Sequence, residues 1–116
     1  MKENIIEKKS FDFALEIIKL YQSLIKEKEF TISKQLLRSG TSIGANVQES
    51  ISAQSKKDFI SKMSLSLKEA RETRYWLLLL KKSTLTSTDL CKILTSVDEI
   101  IKIIYSIINT TKNNLK

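Results

Sequence analysis

The sequence contains no histidine, no proline, a single cysteine and two glycines. The missing histidine removes Ser-His-Asp triads, Cys-His dyads and imidazole metal ligands from consideration. One cysteine, Cys91, can neither close an internal disulfide nor supply a CxxC cluster, so it is expected to be a small buried apolar side chain. Long hydrophobic runs are also missing: the longest, Trp76 to Leu80, falls far short of the ~20 residues that cross a bilayer. The opening MKENIIEKKS lacks the apolar segment of a secretory signal, which points to a reducing cytoplasm and no membrane contact. The sequon Asn109-Thr110-Thr111 is therefore not expected to carry a glycan. With so few breakers the chain cannot punctuate closely spaced β-hairpins, and an all-α fold is expected.

What is present fits one compact unit. A chain of 116 residues, 41% hydrophobic and 28% charged, is long enough for one core and too apolar for disorder, so residues 1–116 read as a single domain. Twenty Lys and Arg against thirteen Asp and Glu leave a net charge of +7, a balance that favours polyanionic partners.

Helical periodicity appears four times. Phe11, Ala14, Ile18, Tyr21 and Ile25 recur at spacings of three and four, predicting a helix over about 11 to 28 with Ser10 as N-cap and Asp12 in its first turn. Ile32, Leu36, Gly40, Ile43, Val47 and Ile51 form one seam of a second helix, about 32 to 52, running straight through both glycines. Its GxxxG spacing suits close helix packing, and it is no phosphate loop because no Gly-Lys-Ser/Thr follows. Ser55-Lys56-Lys57-Asp58 has the form of a capping box and opens a third helix ending near Lys82. Thr86-Ser87-Thr88-Asp89 repeats the pattern before a fourth, whose Leu90, Ile93, Leu94, Val97, Ile100, Ile101, Ile104, Ile107 and Ile108 fill a wide apolar arc. Long helices on short links imply an antiparallel up-down-up-down four-helix bundle.

The third helix carries more than a core face. Phe59, Ile60, Met63, Leu67, Ala70 and Leu77 gather on one side, with Arg74 among them, and a guanidinium there must snorkel outward or find a carboxylate. Leu65, Trp76 and Leu79 share a stripe with Glu69 and Glu72, which would leave a tryptophan in water unless another subunit covers it. These three apolar residues are therefore the expected oligomer interface. Lys57, Ser61, Ser64, Lys68, Arg71, Tyr75 and Lys82 lie within about 40° of one line on the helix. Residues 56–82 hold eight basic residues against three acidic ones, and so contribute +5 of the net +7. Such a row is either a plain solvated face or a surface for nucleic acid, with Lys57, Lys68, Arg71 and Lys82 as the phosphate-binding residues.

On the second helix Arg38, Ser42, Ala45 and Glu49 share a side, with Asn46 at its edge. They form either an exposed polar face or, with Glu72 and Arg74, a structural polar network fixing helix register. Glu49, Glu69 and Glu72 are expected to partner Arg38, Arg71 and Arg74. No catalytic residue, cofactor or metal site is expected: there is no nucleotide motif, and the Glu-x-x-His pairs of di-metal bundles are missing.

Three stretches have a familiar look. Leu37 to Ser50 (LRSGTSIGANVQES), Ser55 to Ile60 (SKKDFI) and Lys68 to Leu80 (KEARETRYWLLLL) resemble the "four helix bundle protein" family. That family includes proteins encoded within intervening sequences of bacterial 23S rRNA genes and is similar to the accessory proteins of diversity-generating retroelements. The resemblance implies a homo-oligomer, typically a pentameric ring, whose basic surface engages RNA or DNA, and for retroelement members a reverse transcriptase as partner. It also implies that Ser42 to Asn46 (SIGAN) is a helix-packing segment. Tyr75 and Trp76 would then belong to packing at the core edge or between subunits. The expected function is non-catalytic nucleic-acid binding, with an oligomeric protein-interaction scaffold as the alternative.

Overall fold

The computed structural model describes residues 2–115 and consists of four helices: α1 Lys2–Lys26, α2 Ile32–Ile51, α3 Lys56–Ser83 and α4 Cys91–Asn113. No strand occurs among the described residues. Each helix packs on two others in a closed square, so α1 lies diagonal to α3 and α2 diagonal to α4. Cross-helix contacts fix the directions. Gly40 meets Ile17 and Gly44 meets Ser10, Ser39 bonds Thr73, Ser66 bonds the Ile43 carbonyl, Arg74 pairs with Asp98, and Lys9 with Glu99. Every neighbouring pair is antiparallel, which makes the chain an all-α four-helix bundle 49 Å long and 20 Å across.

The core runs along the axis of the square. α1 supplies Ile6, Phe13, Ile17, Leu20 and Leu24; α2 supplies Leu36, Ile43 and Val47; α3 supplies Met63, Ala70, Leu77 and Leu80; Leu90, just before α4, and the buried Ile, Leu and Val residues of α4 complete it. On α1 this is not the predicted stripe. Phe11 and Ile18 are exposed, because α1 is apolar over so much of its circumference that two different stripes satisfy helical spacing. Packing against α2 and α4 selects the one centred on Phe13 and Ile17. Helix α1 also begins earlier than expected, so Ser10 is a buried mid-helix residue whose hydroxyl donates to the Glu7 carbonyl, and Asp12 pairs with Lys8 one turn back.

The helix starts differ in how they are capped. Ser55 caps α3 as predicted, accepting the Asp58 N–H at 3.0 Å while Asp58 accepts from the Gln54 N–H. At α2 the cap is Glu29, whose carboxylate accepts the N–H groups of Thr31, Ile32 and Ser33. The predicted second capping box does not form. Asp89 accepts the Cys91 N–H at 3.0 Å, while Thr86 and Ser87 donate their hydroxyls to Glu27 at the end of α1. Cys91 is exposed, contrary to expectation: it is the first residue of α4 and lies between the core positions Leu90 and Ile93, on the side of the helix turned away from the core.

Helices approach closely where their residues are small. A Cβ added at Gly40 would lie 2.7 Å from Ile17 Cγ1, and one at Gly44 3.3 Å from the Ser10 carbonyl oxygen, so the GxxxG pair serves the α1–α2 contact. Across α2–α3 the same part is played by hydroxyls. The Thr73 hydroxyl donates to the Glu69 carbonyl and shares a 2.8 Å hydrogen bond with the Ser39 hydroxyl, and Ser66 donates to the Ile43 carbonyl at 2.8 Å, with Ser39, Thr73, Ser66 and Ile43 all buried. These bonds satisfy polar groups that would otherwise penalise burial.

Candidate nucleic-acid interface

Because α3 turns Met63, Ser66, Ala70, Thr73, Leu77 and Leu80 inward, its opposite side faces solvent along its length. Lys57, Ser61, Ser64, Lys68, Arg71, Tyr75 and Lys82 are all exposed there. The acids of α3 lie elsewhere. Glu69 and Glu72 both pair with Arg38 of α2, the former at 3.1 Å, and Asp58 is engaged in the helix cap. None of Lys57, Lys68, Arg71 and Lys82 has an ion-pair partner among the described residues. The row is thus a strip of uncompensated positive charge, held straight by a helix whose other face is locked in the core.

Arg74 resolves the conflict its position posed. It reaches outward over the α3–α4 seam, where its Nε donates to Asp98 Oδ1 at 2.7 Å. Arg71, Arg74 and Lys102 gather with Asp98 and Ile101 around an open groove of about 530 Å³. Lys102 was missed at the sequence level because its partners lie on another helix.

The polar set predicted on α2 and α3 is divided by the fold. Arg38 joins Glu69 and Glu72, and Glu72 also accepts the Trp76 indole N–H at 3.2 Å, making one cluster across α2–α3. Ser42 and Asn46 bond carbonyls within α2, those of Arg38 and Ser42 respectively. Glu49 is exposed, and Arg74 belongs to the α4 side. Arg71, expected to pair with a glutamate, has no such partner among the described residues.

The picture of an outward tryptophan is corrected. Trp76 is half-buried against the core edge, and its ring meets Tyr75 edge-on with centroids 5.3 Å apart. The residue sits about 90° from the centre of the core face, close enough to α2 for its body to be covered while its N–H reaches Glu72. Of the predicted interface, Leu65 is exposed and Leu79 half-buried. A larger apolar surface lies elsewhere: Phe11, Leu15 and Ile18 form an exposed stripe on α1, diagonal to the basic row. The periodicity that signalled a core had picked out part of this stripe.

No described helix is long and apolar enough to cross a membrane. Among the described residues no group of three or more His, Cys, Asp or Glu is placed to hold a metal ion.

Comparison with known proteins agrees with this architecture. The family model of the 23S rRNA-intervening sequence proteins matches residues 2–106. The chain is also similar to a crystal structure of a protein of unknown function from the S23 ribosomal protein family of Bacteroides thetaiotaomicron. The two share 49% identity over 94% of this chain and 99% of that one, with a TM-score of 0.87. No curated protein matches the chain.

Proposed function

From the premise that this chain belongs to the 23S rRNA-intervening sequence protein family, we propose that it is a non-catalytic, homo-oligomeric cytoplasmic protein that binds nucleic acid, RNA foremost, through the basic face of α3. The observation that carries this reading is the exposed row of Lys57, Lys68, Arg71 and Lys82, from which all three acids of α3 are turned away. Each phosphate neutralised by such a cation releases condensed counterions, which drives binding without regard to base sequence. In an oligomer, with the pentamer of the resembling family as the expected form, several identical strips act on one polymer, and individually weak contacts add.

The test is a triple charge reversal, Lys57→Glu, Lys68→Glu and Arg71→Glu. All three side chains are exposed and outside the core, so the variant is expected to keep its helical circular dichroism and to lose RNA binding in low salt. Wild-type RNA affinity in the folded variant would refute the reading.

The apolar stripe of Phe11, Leu15 and Ile18 favours a second reading, a protein-interaction scaffold, for which a reverse transcriptase is one kind of partner. That reading predicts association insensitive to salt and no retention of RNA or DNA.

A further inference from the structure

Beyond the row itself, the α3–α4 seam has a composition that a plain solvated face does not need. Arg71, Arg74 and Lys102 converge there on a groove floored in part by Ile101. The guanidinium of Arg74 is oriented by Asp98, which accepts only from Nε, so both terminal nitrogens lack a partner among the described residues and remain available to a phosphate oxygen.

Beyond the residues that line the groove, each of its two helices also carries an exposed aromatic ring. Tyr75, beside Arg74 on α3, is 57% exposed. Tyr105, one turn beyond Ile101 on α4 and on the same side of that helix, is 53% exposed. Neither hydroxyl has a hydrogen-bond partner among the described residues; the Tyr75 ring meets Trp76 edge-on, and Tyr105 makes no ring contact among the described residues. Arg74 and Asp98 are level with one another, and Tyr105 lies seven residues beyond Asp98, or roughly 10 Å along the bundle at ~1.5 Å per residue. Cations along a groove with aromatic rings at intervals are the arrangement that grips an unpaired strand: phosphates follow the charges and bases stack on the rings. In a duplex the base faces are already stacked on one another. Packed helices lie only about 8–10 Å apart, so the seam between them admits one backbone.

We propose that the α3–α4 groove selects single-stranded over double-stranded nucleic acid, with Arg71, Arg74 and Lys102 on phosphates and Tyr75 and Tyr105 stacking on bases. The inference rests on the nucleic-acid reading given above and names the form of its ligand.

The experiment uses the full chain and a fluorescently labelled mixed-sequence RNA oligonucleotide, alone or annealed to its complement. Binding is read by anisotropy in low salt for wild type, for Tyr75→Leu with Tyr105→Leu, and for Tyr75→Phe with Tyr105→Phe. Wild type is expected to bind the single strand at least about tenfold more tightly than the duplex. The leucine pair should erase most of that preference and leave duplex binding unchanged, while the phenylalanine pair, which keeps the rings, should retain it. Equal wild-type affinity for both forms, or a leucine pair that binds the single strand like wild type, overturns the groove assignment and leaves the basic-face reading standing. Wild type that binds neither form overturns both.

Discussion

Gly40 shows how one hydrogen atom sets a helix spacing. An alanine there would gain about 1 kcal/mol of helix propensity. Its methyl, however, would press to 2.7 Å and 2.9 Å from the two γ carbons of Ile17, which is fully buried and, being β-branched, cannot rotate away cheaply. Overpacking of this kind costs about 1–3 kcal/mol. Gly40→Ala is thus expected to lower stability by about 1 kcal/mol in urea unfolding. Combined with Ile17→Ala it should cost less than the two changes summed, since the clash is then removed. A variant as stable as wild type would show that α1 can retreat from α2. The sequence revealed the GxxxG spacing, but nothing in it named Ile17 as the residue the glycine accommodates.

At the scale of elements, the link between α3 and α4 is tied down by a carboxylate from the turn that follows α1. Glu27 accepts the Thr86 hydroxyl at 2.5 Å and both the N–H and hydroxyl of Ser87. The Thr86 hydrogen bond first, then the Ser87 N–H, holds its pKa below the ordinary glutamate value. A carboxyl whose pKa is lowered on folding adds stability above its unfolded pKa and loses it as pH falls through the folded one. The wild-type melting temperature is therefore expected to fall more steeply than that of Glu27→Gln from about pH 7 into the acid range below about pH 4. Parallel curves would show that the tether contributes nothing. This contact also explains why the second capping box was misread: Thr86 and Ser87 have the right spacing for a cap, yet their hydroxyls serve Glu27, far away in the chain.

At the scale of the whole molecule, charge and apolar surface are segregated. The basic row lies on α3, while the exposed Phe11, Leu15 and Ile18 lie on the diagonal helix, α1. Copies meeting through α1 would bury apolar area and keep the positive strips of α3 apart, so both the hydrophobic effect and Coulomb repulsion favour that arrangement. Phe11→Lys with Leu15→Lys is expected to reduce the proposed oligomer to a 13.3 kDa particle in light scattering without loss of helicity, whereas Leu65→Lys should leave it assembled. The reverse result would return the interface to the flank of Leu65 and Leu79.

The sequence by itself determined the all-α class, the four helices, the direct cap at Ser55 and the basic line on α3. These depend on spacings of three and four residues, on turn chemistry within a few residues, and on charges counted along one helix. Only the tertiary structure decided which of two apolar stripes of α1 is buried, where Arg74 finds its carboxylate, how Trp76 is covered, and that Lys102 shares a groove with Arg71. Each of these is a contact between helices distant in the chain, and periodicity says which residues share a side of one helix without saying which neighbour that side will meet.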